Sequence, residues 1–168
     1  DTISQLIKPS IAIVNGDVIA GGFLIVLECT YVFAKKSVTF SLPEVKRGLF
    51  PFQVLASLMK HIPENKALDL CITGKTIDAE EAHKLGFVYK VIENIEDSNY
   101  QQLVESIVKN APLAISMGMA ASKHIKNIPE KERMKYLLET LQILKVSNDA
   151  KEGANAFFEK RTPNWENS

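Results

Sequence analysis

Apolar residues in the first part of the chain alternate between short continuous runs and helical stripes. A short apolar run bounded by turn residues predicts a buried strand, and apolar residues three and four apart predict a helix. The predicted strands are 11–14, 31–34, 38–40 and 87–91. The first predicted helix is 22–29, and the second follows Pro51 and carries Val54, Leu55, Leu58 and Met59. The third has Pro63 at its first position and is predicted to point Ala67, Leu68, Cys71 and Ile72 inward. The fourth is short and is capped by Asp78 and Glu81. Gly74 and Gly86 are expected to end the last two helices.

The last third of the chain carries helical stripes joined by short polar breaks. One stripe begins at Tyr100, a second helix is opened by Pro112 and runs through Lys123, and Asp149 with Glu152 fits a cap for a final helix ending near Arg161. A further stripe, predicted to be core or an interface between subunits, contains Met134, Leu137, Leu138, Leu141 and Leu144. We therefore predict an α/β fold, with a core domain over residues 1–96 and a helical region over residues 97–168.

Composition excludes several classes of function. The 168 residues include 46% hydrophobic residues, which is enough for a real core, and Lys plus Arg equals Asp plus Glu at 20 each. Balanced, scattered charge favours no nucleic-acid partner, and no apolar run has the length of a membrane span. Two cysteines in apolar helical patterns indicate reduced thiols and a cytoplasmic protein, or one of the mitochondrial matrix in a eukaryote. Since the chain opens at Asp1 rather than Met, we expect a fragment.

Two short motifs carry candidate chemistry. The glycines of Ala20-Gly21-Gly22-Phe23 follow an apolar strand, and a backbone N–H without a neighbouring Cβ can approach a bound carbonyl oxygen. Glu44 follows Pro43 at a predicted strand exit, where apolar neighbours would suit a carboxylate that exchanges protons. The alternatives are that the glycine pair only allows tight packing, and that Glu44 is a helix-capping or ion-paired surface carboxylate.

The order of these features resembles the crotonase family, the enoyl-CoA hydratase/isomerase superfamily. The matching stretches are residues 8–16, 20–23, 40–49, 70–82 with 85–88, and the tail from 147–153 to 158–161. The resemblance implies a partial spiral of ββα units with a helical C-terminal trimerisation region, a homotrimer or hexamer, and an acyl-CoA substrate that brings coenzyme A with it, so no separate cofactor is expected. It also implies that the N-terminal half of the family fold, which holds one of the two oxyanion donors, has no counterpart here.

The resemblance assigns roles to individual residues. Gly21 matches the second oxyanion donor and Glu44 matches one of two catalytic glutamates. Leu24 stands where the other glutamate lies, which favours single-glutamate isomerases that shuttle a proton over hydratases that orient water. The remaining residues implied to contact the substrate are Gly22, Phe23, Leu24 and Leu49.

Other polar candidates are weaker. Lys160, with Arg161, is a candidate contact for the coenzyme A phosphates, the alternative being a solvated cation at a helix end. The three histidines lack ligand spacing, so no metal is expected. Glu28 is not a substitute for the missing glutamate, and 52–54 replaces a glycine-rich stretch of many members. We predict an enoyl-CoA hydratase/isomerase that favours proton shuttling; the alternative is a non-catalytic acyl-CoA-binding or scaffold protein.

Overall fold

The structure, a computed structural model, describes residues 3–96 and 99–168, and of residue 99 the backbone only. Its backbone contacts divide the chain into two compact units, Asp1–Tyr100 and Gln101–Ser168. The domain boundary predicted at residue 97 lies outside the described residues.

The first unit contains short strands that alternate with short helices. The strands are β1 (Ile11–Val14), β2 (Val18–Ile19), β3 (Tyr31–Lys35), β4 (Thr39–Ser41), β5 (Thr76–Asp78) and β6 (Lys90–Ile92). The helices are α1 (Gly22–Leu27), α2 (Phe52–Leu58), α3 (Glu64–Thr73) and α4 (Ala79–Leu85), with 3₁₀ turns at Ile3–Gln5 and Pro43–Arg47. Two successive β-β-α units, β1-β2-α1 and β3-β4-α2, therefore open the fold.

The first four strands enter two sheets alternately, and β5 joins β4 in the second sheet. One sheet has the order β1-β3-β6 with parallel pairs, and the other has the order β2-β4-β5, in which β2 and β4 are parallel and β5 is antiparallel. Parallel neighbours need a crossover connection, and β2 with α1 supplies the crossover from β1 to β3. The turn after β3 thus leads into the second sheet rather than back along the first.

The core of the first unit is built from apolar side chains of both sheets and all four helices. The rings of Phe23, Phe40 and Phe87 meet within it, with centroids 5.4–6.0 Å apart. Burying an aromatic or aliphatic side chain of this size contributes on the order of 1.5–3 kcal/mol. Other core members include Val26, Leu27, Leu42, Val54, Leu58, Ala67, Leu70, Cys71, Ile77 and Val88.

Several predicted boundaries shift in the structure. Pro63 is the residue before α3 rather than its first residue, and α1 ends at Leu27 instead of reaching residue 29. Ile72, predicted to point inward, is 61% exposed, because α3 buries the face of Ala67, Leu70 and Cys71. The strand predicted at 87–91 is shorter and begins later, at Lys90, while β2 and β5 are too short to leave a pattern in the sequence.

The second unit consists of helices. They are α5 (Asn99–Val108), whose first two residues belong to the first unit, α6 (Pro112–His124), α7 (Glu130–Lys145) and α8 (Asn148–Glu159). The His124 ring of α6 lies 4.4 Å from the Tyr136 ring of α7, measured between centroids. The predicted stripe on α7 is not a core, because no residue of this helix is buried.

The C-terminal residues fold back onto α8. The cap predicted at Asp149 and Glu152 is wrong, because the Ser147 hydroxyl caps α8 by accepting the Ala150 N–H at 3.0 Å. Asp149 is buried instead, and its Oδ1 accepts the backbone N–H groups of Glu166 and Asn167 at 2.8 and 3.0 Å. Because the Asp149 carboxylate forms these long-range hydrogen bonds, it does not cap the helix.

Candidate functional site

Strands β2 and β4 bring the two candidate motifs to one edge of a sheet. They run parallel with Val18 opposite Phe40 and Ile19 opposite Ser41, so both strands leave the sheet at the same end. The Ala20 N–H donates to the Ser41 carbonyl at 3.1 Å and extends this pairing by one bond. Gly21 follows β2 and Glu44 follows β4, although twenty-two residues lie between them in the sequence. The sheet register therefore places Gly21 and Glu44 at neighbouring exits.

The Gly21 N–H is available for a further hydrogen bond. Gly21 precedes α1 with φ −58° and ψ −16°, an ordinary helical conformation, and no acceptor within the described part of the chain bonds its N–H. A Cβ built on Gly21 would meet no atom within 4 Å. Glycine is thus required here neither by backbone conformation nor by packing within the described residues, and the space beside its N–H is open. On Gly22, by contrast, a Cβ would lie 3.4 Å from Val18 Cγ1, at the edge of ordinary van der Waals contact, so this glycine packs closely against β2.

The residue before this glycine pair has an uncommon backbone conformation. Ala20 has φ +53°, in the left-handed region that non-glycine residues seldom adopt. Such residues cost about 1–3 kcal/mol and persist where the surrounding contacts determine them. Here the Ala20 N–H is bonded to Ser41, and its carbonyl accepts the Phe23 N–H at 3.1 Å. The sequence carried no signal for this residue, since alanine is not typical of left-handed turns.

Glu44 lies in the 3₁₀ turn Pro43–Arg47 with one carboxylate oxygen buried. Among the described residues, no group hydrogen-bonds that oxygen, Oε2, and none forms an ion pair with the side chain. Lys46 and Arg47, the partners of the surface interpretation, are exposed. The carbonyl of Glu44 accepts the Leu49 N–H at 3.0 Å and closes the turn. A buried carboxylate oxygen without a partner is costly, and such groups are concentrated at functional sites.

Cys71 is an electrostatic neighbour of Glu44 that sequence reasoning assigned only to the core. Burial raises the pKa of the Cys71 thiol to about 11, and the negative charge of Glu44 acts in the same direction. Cys71 therefore stays protonated at neutral pH and presents an uncharged thiol to the carboxylate. Its inward position on α3 follows from the helical pattern, but its proximity to Glu44 depends on the packing of α3 against the turn.

The predicted apolar wall of Glu44 is only partly formed by buried side chains. Phe40 and Leu42 are fully buried, whereas Leu49 is 66% exposed. Phe23 is 1% exposed and its N–H donates to the Ala20 carbonyl, so this residue lies in the core and presents no open surface to a ligand in this chain. Leu24 is partly buried and packs against the core, and it offers no hydrogen bond at its position.

Several further side chains of the first unit have structural partners or lie at the surface. Glu28 is the residue after α1, and its Oε1 lies 3.9 Å from Lys60 Nζ, as expected for a partly exposed carboxylate at a helix end. Phe52 is 74% exposed, with its ring centroid 5.1 Å from that of Phe50. His83 Nδ1 lies 2.8 Å from the Val88 carbonyl oxygen, which gives this histidine a local role at the end of α4.

The two C-terminal cations behave differently. Lys160 is the exposed residue that ends α8 in the left-handed conformation, with φ +54°. Arg161 forms a paired contact with Glu152, at 2.6 and 2.9 Å, and a further one with Glu159. These carboxylates raise the pKa of Arg161 above its usual range. Arg161 is thus held within its own unit, and Lys160 is the candidate cation with its ammonium at the surface.

Two properties of the described residues bear on membrane and metal binding. No helix in residues 3–96 and 99–168 combines the length and apolar character of a membrane span. The same residues contain no group of three His, Cys, Asp or Glu side chains with the spacing of a metal site.

Comparisons with known proteins match the whole chain. A family model described as enoyl-CoA hydratase/isomerase matches residues 1–168. A Mycobacterium tuberculosis enoyl-CoA hydratase is 36% identical over 167 residues, which cover 97% of this chain and 62% of that protein. A carnitinyl-CoA dehydratase of Shigella flexneri is 34% identical over 169 residues, which cover 97% of this chain and 65% of that protein. The chain thus spans less than two thirds of the length of these relatives.

Solved structures of similar proteins share the fold. An enoyl-CoA hydratase from Mycobacterium marinum matches with a TM-score of 0.88 at 36% identity, over 96% of this chain and 67% of that one. An enoyl-CoA hydratase from Mycobacterium smegmatis matches with a TM-score of 0.90 at 27% identity, over 97% of this chain and 64% of that one. The predicted fold class is confirmed for the part of those structures that the chain covers.

Proposed function

Because this chain belongs to the enoyl-CoA hydratase/isomerase family, we propose that it acts on an unsaturated acyl-CoA thioester through an enolate. The observation that carries the proposal is the buried, unpartnered Oε2 of Glu44 at the same sheet edge as the open N–H of Gly21. A proton acceptor and an oxyanion donor are the two groups that this chemistry requires. Coenzyme A enters as part of the substrate, and no separate cofactor takes part.

In the proposed reaction each group has one task. Glu44 removes a proton from the carbon next to the thioester carbonyl, and the electron pair of that C–H bond moves toward the thioester oxygen. The Gly21 N–H donates to this oxygen as negative charge builds on it, together with a second donor that the family supplies from its N-terminal part. Glu44 then returns the proton to another carbon, so that the double bond has moved and the carboxylate is restored. Burial raises the pKa of the Cys71 thiol to about 11, so this neighbour of the turn is uncharged at neutral pH.

The choice between isomerisation and hydration depends on position 24. Hydration needs a water held between two polar groups, and Leu24 offers no hydrogen bond where two-glutamate members place one. The names of the relatives, a hydratase and a dehydratase, favour chemistry with water. Leu24 favours proton shuttling, and we propose that isomerisation of a 3-enoyl-CoA is the faster reaction.

The remaining contacts with the substrate are proposed as follows. The backbone of Gly22 continues the turn beside the thioester, and the buried Phe23 supports this turn from the core. The exposed side chain of Leu49 lies next to the Glu44 turn, where it can meet an acyl chain. Lys160 contacts the nucleotide phosphates of coenzyme A through its exposed ammonium. Replacing Lys160 by Gln would then raise KM for an acyl-CoA and leave kcat unchanged.

The test of the proposal compares two glutamates in the protein as its gene encodes it. We expect Glu44→Gln to lower kcat on an enoyl-CoA by about 100-fold or more, the scale for a lost general acid/base, while acyl-CoA binding measured by calorimetry changes little. Glu28→Gln is the matched control, because Glu28 is a surface partner of Lys60 and should keep wild-type kcat. Turnover of Glu44→Gln within about threefold of the wild type would make Glu44 a structural residue.

Assays of both substrates separate the alternatives. Robust hydration of a 2-enoyl-CoA with negligible isomerisation of a 3-enoyl-CoA would refute the argument from Leu24. Inactivity on both, with retained acyl-CoA binding, would favour the non-catalytic binding or scaffold protein. Leu24→Glu is expected to raise hydration if its carboxylate ionises at this partly buried position, since an isolated buried carboxylate tends to remain protonated.

We also propose that the protein assembles as a homotrimer or hexamer. Helix α7 has no buried residue, yet its apolar side chains Met134, Leu138 and Leu141 are exposed. An apolar helix face of this kind is typical of an interface between subunits. Light scattering coupled to gel filtration should give three or six times the chain mass, and Leu138→Glu should lower that mass, whereas Glu139→Gln should not.

A further inference from the structure

Gly74 lies where helix α3 ends against the turn that carries Glu44. Its φ of +57° is in the left-handed region, which glycine adopts without steric cost. A Cβ built on Gly74 would lie 3.1 Å from the Leu42 carbonyl oxygen and from Val45 Cγ2. These separations are tighter than nine in ten real Cβ contacts, so the neighbouring atoms would have to move by a few tenths of an ångström. Gly74 is therefore constrained twice, by its conformation and by the closeness of the turn.

The atoms that meet Gly74 flank Glu44 on both sides. Leu42 precedes Pro43 and Glu44, Val45 follows, and Lys46 Cε lies 3.2 Å from the same Cβ position. Leu42 is fully buried, so the start of the turn is packed against the core. Lys46 Cε can move with its exposed side chain, but the Leu42 carbonyl is a backbone atom two residues before Glu44, so a shift that relieves its contact moves the turn.

The carboxylate of Glu44 depends on this backbone for its position. Within the described residues, Oε2 has no hydrogen-bond partner and the side chain has no ion pair that could restore its place after a shift. An acid/base must lie within hydrogen-bond reach of the proton that it moves, and a misplacement of about 1 Å can cost about 100-fold in rate. Small displacements of the turn should therefore affect proton transfer more than substrate binding.

We propose that Gly74 is a positioning residue for Glu44. The close contact of Gly74, at the end of α3, with residues 42–46 sets where the carboxylate lies. This rests on the proposed role of Glu44 as acid/base. Gly74 itself touches no substrate, and its effect passes through Leu42 and Val45.

The chain offers a matched control in Gly86. Gly86 ends α4 as Gly74 ends α3, and it is also left-handed, with φ +104°. A Cβ on Gly86 would meet nothing within 4 Å. Gly86→Ala thus introduces backbone strain without a contact, while Gly74→Ala introduces both.

The experiment measures kinetics and the titration of Glu44 in both variants. We expect Gly74→Ala to lower kcat about tenfold with KM within threefold, and Gly86→Ala to change neither, although both lower the midpoint of urea unfolding. ¹³C NMR of labelled glutamate, with the Glu44 signal assigned from its loss in Glu44→Gln, should show a changed titration in Gly74→Ala alone. If Gly74→Ala does not fold, Gly74→Asn and Gly86→Asn replace the pair, because Asn tolerates the left-handed region and still adds a Cβ.

The outcomes distinguish this proposal from the proposed function. A folded Gly74 variant with wild-type kcat and an unchanged Glu44 titration would overturn the positioning role. If Glu44→Gln keeps its turnover, the proposed function fails, and a changed Glu44 titration in Gly74→Ala still supports the positioning of the carboxylate. Equal kinetic and NMR effects in the Gly74 and Gly86 variants would assign the result to general backbone strain and refute the proposal.

Discussion

Replacing Asp149 by Ala should destabilise the second unit because this carboxylate holds the C-terminal residues. Asp149 is 2% exposed, and its Oδ1 accepts the N–H groups of Glu166 and Asn167. A hydrogen bond to a charged group contributes about 1.5–3 kcal/mol, so the two bonds together contribute about 3–6 kcal/mol. The other oxygen, Oδ2, is buried without a partner among the described residues, and its removal returns a desolvation cost of about 1–3 kcal/mol. The midpoints of these two ranges, about 4.5 and about 2 kcal/mol, leave an expected loss of about 2.5 kcal/mol in the free energy of unfolding for Asp149→Ala.

Asp149→Asn separates charge from geometry. The amide keeps a carbonyl oxygen for the same two N–H groups and removes the charge, while its NH2 group takes the buried place of Oδ2. Because neutral hydrogen bonds contribute about 0.5–1.5 kcal/mol each, the net loss should be about 1 kcal/mol. Glu139→Ala is the matched control, since Glu139 is exposed and lies 3.9 Å from Lys135, a surface pair that should change stability by less than about 0.5 kcal/mol.

Urea unfolding followed by tryptophan fluorescence measures these differences directly. Trp165 is the single tryptophan of the chain, and its indole N–H donates to the Lys109 carbonyl at 2.8 Å. Its six-membered ring lies 3.3 Å from where a Cβ on Gly153 would stand, so the probe reports on the residues that Asp149 holds. A loss below about 0.5 kcal/mol for Asp149→Ala would show that these hydrogen bonds contribute no net stability and would refute the reasoning.

Two further predictions concern the turn before α1 and the acid stability of α8. Gly21→Val should fold as the wild type does, because its Cβ has open space, yet it should raise the activation free energy of the reaction by about 3–4 kcal/mol. Circular dichroism checks the fold and a steady-state assay measures the activity. A folded variant with full activity would leave Gly21 without a role in catalysis. Hydrogen bonds from Arg161 and the Asn164 N–H lower the pKa of Glu152 from 4.5 to about 2, so Glu152 stabilises the fold above pH 4.5 and this contribution is lost as the pH falls toward 2. Acid titration of Glu152→Gln should show a weaker pH dependence of unfolding in this range, and identical curves for both proteins would contradict the assignment.

Local features of the fold were predictable because their hydrogen bonds close within a few residues. The Asp78 side chain accepts the Glu81 N–H at 2.8 Å, and Gly74 and Gly86 end their helices in the left-handed conformation, as the sequence predicts. Strand β1 is also found at its predicted residues, because a continuous apolar run bounded by polar residues has one plausible interpretation at that length. The same local rule failed at Asp149, where residues seventeen and eighteen positions away compete for the carboxylate.

Pairing between distant segments could not be predicted from residue patterns. Strand β2 has two residues, too few to show a period, and its partner β4 lies twenty residues further along the chain. The inward face of α3 depends on which side meets the core, so Ile72 could be assigned only after packing was known. These choices follow from the burial of apolar surface over the whole unit, which no window of the sequence contains.

The sequence by itself determined the family resemblance, the α/β class and the identity of Gly21 and Glu44 as candidates. Those conclusions depend on the order and spacing of residue types, which are local properties of the chain. Only the tertiary structure decided that both residues leave the same edge of a sheet, that Glu44 Oε2 is buried without a partner among the described residues, and that Gly74 touches the turn around Glu44. The physical reason is that desolvation and close contact are properties of surfaces brought together by folding, and these surfaces come from segments far apart in the chain.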